Sequence, residues 1–187
     1  MDEFSYLIVL VSIVLGLGVT RLLTGLGALI EARDRVRFYG PALAWTLFLL
    51  VAHVQTWWAF FGLRDRGGWS FAAFLAVLVQ PALLYLLSAL VLPTVGPGDD
   101  VDLRTRYYEQ ARWFFGLLAG LLVASLARDL ALEGALPDAP NVAFHAVFFA
   151  LAVAGAVTRS ERFHRANAAA NVGLVGLYVA LLFSQLA

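Results

Sequence analysis

Long apolar stretches alternate with short polar ones along the entire chain, and no stretch alternates with the period of two that a half-buried strand shows. Apolar runs of about 20 residues predict membrane-spanning helices. Six are read here, at roughly 4–30, 40–62, 69–92, 110–131, 142–158 and 166–186. The first ends before the charged EARDRVR of 31–37. The second opens on Gly40-Pro41, with proline in the first turn, where its missing N–H costs little. The third contains Pro81, a predicted kink, and stops at Leu92-Pro93. The fourth helix is expected to begin early, near Asp102, because DLRTRYYEQAR offers the pairs Asp102–Arg106 and Glu109–Arg112. Gly134 is its stop signal, and LPDAPN (136–141) is a turn before the fifth. The fold class is therefore all-α, a polytopic bundle of six transmembrane helices in a single domain, 1–187.

Two segments look alike, ALLYLLSALVL (82–92) and GLYVALLFSQL (176–186), with Tyr85 over Tyr178. If spans three and six correspond, the chain is two inverted three-helix halves, as in many transporters.

Composition agrees with a membrane domain: 61% of the 187 residues are hydrophobic and 14% charged, with a mean hydropathy of +0.82. The start, MDEF, is acidic, unlike the basic opening of a secretory signal, so the first apolar run is read as a retained helix. All 13 basic residues are arginine, which excludes a lysine Schiff base. No cysteine is present, so thiolate metal sites and iron–sulfur clusters are excluded too. Net charge is zero, and no basic face for nucleic acid exists. The Arg-only, Ala/Leu/Val-rich usage points to a bacterial inner membrane.

Arginine placement orients the bundle. The first, third and fifth loops carry Arg33, Arg35, Arg37, Arg104, Arg106, Arg112, Arg159, Arg162 and Arg165, and the opposite side only Arg64 and Arg66. Both termini are then non-cytoplasmic. Trp57, Trp58 and Trp69 form an outer aromatic belt, and Tyr107, Tyr108 and Trp113 an inner one.

Charge inside the spans is the candidate chemistry. Arg21 lies about 13 Å from the inner end of the first helix, at 1.5 Å per residue. A guanidinium there is costly and cannot discharge itself. Thr20, Gln80, Tyr85 and Asn171 are the neutral polar residues expected to surround it, with Ser88 and Asn167 nearby. That seam suits an anionic ligand or a permeation path. Ser12, Gly16, Thr20 and Thr24 recur every four residues and predict close helix packing, or a homo-oligomer contact, with the first helix central to the bundle.

Nearer the outer face, His53, Asp129 and His145 are candidates for a proton relay. Arg128 and Asp129 are adjacent, point about 100° apart and need not pair, and Arg128 is close enough to the interface to reach headgroups. Haem held by His53 and His145 is disfavoured by their different depths, and no HxxH or HExxH pattern indicates a metal. His164 is placed on a cytoplasmic loop. GDDVD (98–102) resembles a magnesium-binding acidic run, but reads more simply as a solvated turn in which Asp100 or Asp102 caps the next helix.

The functional expectation is a small transporter or channel with a polar site around Arg21. Alternatives are a membrane-embedded interaction or structural subunit, and a lipid-modifying or haem-binding enzyme.

Overall fold

The computed structural model describes residues 3–64 and 66–186, with side chains described through residue 174. The order is α1 (Glu3–Glu31), a two-residue strand β1 (Val36–Arg37), α2 (Gly40–Phe60), α3 (Phe71–Val91), β2 (Val101–Asp102), α4 (Leu103–Glu133), α5 (Ala139–Val157) and α6 (Glu161–Leu186). Among the described residues five helices, α1 to α5, are long and apolar enough to cross a membrane, α2 with the 3-10 turn that extends it to Leu63. In hydrocarbon a backbone must satisfy its own polar groups, and a continuous helix does so. The second turn of α6 onward coincides with the expected sixth span, but its side chains beyond residue 174, Tyr178 among them, lie outside the described residues.

Helix ends follow local chemistry. Asp102 caps α4, accepting from the backbone N–H of Arg104 at 2.9 Å and Thr105 at 3.0 Å. Gly134 closes the same helix at φ 70°, a conformation that favours glycine. Ser70 caps α3, and prolines occupy the first turns of α2 and α5. α3 runs unbroken through the buried Pro81. The expected pairs of early α4 are exchanged: Asp102 pairs across to Arg37 at 3.4 Å, and Glu109 pairs back to Arg106 at 3.6 Å.

α1 buries Leu7, Val11, Leu15, Gly18, Leu22, Gly25 and Leu29. Their spacing alternates mainly between three and four, the 3.5-residue seam of left-handed helix packing. The four-residue line Ser12, Gly16, Thr20, Thr24 runs along a different face, where Gly16, Thr20 and Thr24 are exposed. A methyl group added at Gly16 would meet nothing within 4 Å. So this four-residue line does not serve packing within the chain, because the seam runs along the other face, with Gly18 and Gly25 among its members.

The central helix is α2 rather than α1. It packs against α1, α3 and α6 and touches α4, while α3 packs on α4, and α4 on α5. Among the described residues the halves do not repeat one pattern, since α1 packs on α3 whereas α4 packs on α5. α1 and α3 run parallel: Tyr6 meets Phe74 at 6.2 Å near one end, and Gly25 meets Leu92 near the other. At the arginine-rich end, β1 and β2 pair in parallel, Val36 with Val101 and Arg37 with Asp102.

Candidate functional site

The polar groups inside the bundle fall into three sets, and Arg21 stands apart from most of its expected companions. Its Nη2 donates to Thr94 Oγ1 at 3.2 Å, in the loop after α3. With Gly25 level with Leu92, Arg21 lies near the depth of Ser88, so its side chain extends toward the arginine-rich end to reach Thr94. Gln80 sits about two helical turns farther from that end, about 12 Å by helix rise. Tyr85 and Thr20 are exposed, and Asn171 is buried on α6, where its Nδ2 donates to the Asn167 carbonyl at 2.9 Å and to Asn167 Oδ1 at 3.1 Å. The expected seam of Arg21 with Gln80, Tyr85 and Asn171 is thus not assembled. Its reason is reach: a flexible guanidinium finds Thr94 at the helix end rather than distant amides. No carboxylate pairs with Arg21 among the described residues.

The second set is a chain of hydrogen bonds across three helices. Arg128 of α4 donates from Nη2 and Nε to Asp129 Oδ1 at 2.6 and 3.0 Å. Its Nη1 donates to Gln80 Oε1 of α3 at 2.5 Å. Gln80 Nε2 in turn donates to Thr56 Oγ1 of α2 at 3.4 Å. The two charged side chains are only 17% and 19% exposed. The sequence reading, in which adjacent residues diverge by about 100°, missed this pair. The long arginine side chain folds back on its neighbour, because a charge in apolar surroundings takes the nearest counter-charge.

One turn inward from Thr56, on the same face of α2, lies His53, 1% exposed. Its Nδ1–H donates to the Leu49 carbonyl at 2.7 Å, which leaves Nε2 as the unprotonated nitrogen. Nε2 has no hydrogen-bond partner and faces the backbone of Gly18, where a Cβ would come within 2.1 Å of it. No space for iron exists there. His145, on α5, instead bonds the Asn141 carbonyl at 2.8 Å. The candidates for a relay are therefore not brought together: Asp129 joins Arg128, and His145 joins neither Asp129 nor His53. Gly18 and Arg21 are one turn apart on α1, so polar positions follow one another from Asp129 through Arg128, Gln80 and Thr56 to His53, then past Gly18 to Arg21 and Thr94.

The third set closes the arginine-rich end, and the sequence reading missed its main member. His164, placed on a loop from the sequence, is fully buried in the first turn of α6. Its Nε2–H donates to the Thr158 carbonyl at 3.0 Å, and its Nδ1 accepts from the Tyr107 hydroxyl at 2.9 Å. Tyr107 is buried too, not part of a surface belt, and packs edge-on to Tyr39 at 5.3 Å. Tyr39 and Tyr108 share a hydroxyl hydrogen bond at 3.1 Å. Burial pushes the Tyr39 hydroxyl well above the ordinary tyrosine range, with the Tyr108 bond adding to the effect. Arg104 bonds Glu161 at 2.9 Å, and Arg165 bonds the same carboxylate at 2.7 Å. The aromatic RYYE run was a visible signal for Tyr107; nothing local in SERFHR marked His164 as buried.

Comparison with protein-family models, with curated proteins and with solved structures finds no match.

Proposed function

We propose that the chain is a small polytopic transporter or channel for a small ion, with six spans, both termini on the non-cytoplasmic side of a bacterial inner membrane, and polar groups stepping diagonally through the bundle. The observation that carries this reading is the Asp129–Arg128–Gln80–Thr56 chain, which leads through apolar helices to a histidine with one nitrogen unpartnered. Ionisable groups are costly in such surroundings, and bundles retain them where ions or protons pass. The Arg21 guanidinium favours an anion, with His53 as the proton acceptor between it and the neutralised Arg128–Asp129 pair. Arg21 supports this by having a neutral partner, which leaves its charge available.

The test is flux in liposomes loaded with the purified chain, under an imposed anion gradient and, separately, a pH gradient. Thr56→Val preserves shape and breaks the chain, and Arg21→Gln removes the inner charge. Each is expected to lower flux at least tenfold while the protein remains folded and monodisperse. Wild-type flux in both folded variants overturns the reading.

A second reading is a membrane-embedded interaction subunit, including a homo-oligomer. The uncovered line of Gly16, Thr20 and Thr24 on α1 favours it, since small residues let helices approach closely. Because the chain has no native cysteine, Gly16→Cys alone reports a symmetric contact by disulfide crosslinking in membranes. Absence of any crosslinked dimer counts against a contact through this line.

A further inference from the structure

An open groove of about 370 Å³ lies at the arginine-rich end, lined by Arg104, Thr105, Tyr108, Glu109 and Arg159. It is formed by the first turns of α4 and the short connection from α5 to α6. It is separate from the polar chain described above and does not depend on the transport reading.

Several features make its chemistry specific. Arg104 is held in place by Glu161 and by the Tyr108 ring, whose centroid lies 5.9 Å from its guanidinium carbon. A guanidinium has five N–H donors, and this arrangement occupies only part of them. Arg159, on the opposite wall, has no hydrogen-bond or ion-pair partner among the described residues. Thr105 adds a hydroxyl. The local carboxylates are already committed: Glu161 serves both Arg104 and Arg165, and Glu109 serves Arg106. The groove itself is lined by two arginines and one glutamate, so its wall carries net positive charge. The backbone N–H groups of Arg104 and Thr105 at the start of α4 are already taken by Asp102.

Depth identifies the source of the anion. Thr105, Glu109 and Trp113 follow one another at four-residue spacing along one face of α4. Trp113 is 69% exposed where the apolar part of the helix begins, just after Arg112, and an exposed tryptophan there marks the level of lipid headgroups. A groove just outside that level, with guanidiniums on two walls, matches a phosphodiester in both charge and hydrogen-bond geometry. We propose that this groove binds the phosphate of an anionic phospholipid, with Arg104 and Arg159 as the recognising cations and Trp113 against the glycerol and upper acyl region.

The experiment uses the full chain in a neutral detergent, titrated with short-chain phosphatidylglycerol while its melting midpoint is recorded. Phosphatidylcholine of the same chain length is the arm that carries a phosphate without net charge, and inorganic phosphate is the arm without a lipid. Phosphatidylglycerol is expected to raise the midpoint saturably, and the other two to do so only at concentrations at least tenfold higher. Arg159→Gln, which breaks no contact in the protein, is expected to weaken the phosphatidylglycerol response about tenfold. Arg33→Gln removes the same charge from the same end outside the groove and is expected to leave the response unchanged. Equal weakening by Arg33→Gln, or an unaltered response in Arg159→Gln, overturns the site. Inorganic phosphate acting at concentrations as low as the lipid overturns the lipid assignment.

Discussion

Gly18 and His53 show how tightly single positions constrain this bundle. A β-carbon at residue 18 would lie 2.1 Å from His53 Nε2, so Gly18→Ala must drive the ring out of its place. Overpacking of this kind costs about 1–3 kcal/mol. The expected outcome is a lower melting midpoint in detergent, largely restored when His53→Ala is added, and a double-mutant cycle measures that coupling. Gly16→Ala, with nothing within 4 Å, is the neutral comparison. At the other end, Tyr107→Phe leaves His164 Nδ1 buried without its donor and is expected to destabilise by about 1–3 kcal/mol, read from the same melts. Residue types announced some of this. Arg21, His53, Gln80 and Asp129 stood out because polar groups are expensive among apolar ones. Their partners did not: Thr94 and Thr56 are ordinary threonines until the fold sets them opposite a donor.

Helix existence was legible because apolar runs of this length have few other solutions, and the caps at Asp102 and Gly134 were legible because their chemistry is local. Faces were harder. The four-residue repeat of small residues on α1 suggested a packing surface, whereas Leu7 to Leu29 at 3.5-residue spacing form the buried one. Both patterns coexist on one helix, and only the neighbouring helices decide between them. The capping carboxylate makes a testable element. Bonds from the Thr105 N–H first, then Arg104, with Arg37 nearby, hold the Asp102 carboxyl below the usual aspartate range. Arg104 does the same for Glu161. Both groups therefore stabilise the fold above their ordinary values of 3.8 and 4.5, and that contribution is lost as pH falls through their lowered native values. Melting midpoints should drop on acidification in this range, and Asp102→Asn should lower the midpoint at neutral pH and flatten the acid dependence.

Across the molecule, loops one, three and five gather at the arginine-rich end, as their composition indicated, and there they are knit together rather than loose. Cysteines introduced singly at Gly98 and Ser160 are expected to react alike with a membrane-impermeant maleimide, and a cysteine at Gly67 oppositely, in intact cells versus inverted vesicles. Matching labelling at all three positions contradicts the spans. What composition did not disclose is the link between distant segments: Val36–Arg37 beside Val101–Asp102, and Arg35 Nη1 donating to the Asp99 carbonyl at 3.1 Å. This two-residue parallel pairing ties the α1–α2 connection to the α3–α4 connection at the arginine-rich end, and at the other end the Trp69 N–H donates to Glu3 Oε2 at 3.2 Å and Arg66 Nη1 to the Leu132 carbonyl at 2.6 Å. Both rims of the bundle are therefore laced across elements. Parting the helices on either face then means breaking bonds at that rim first, like staves hooped at both ends of a cask.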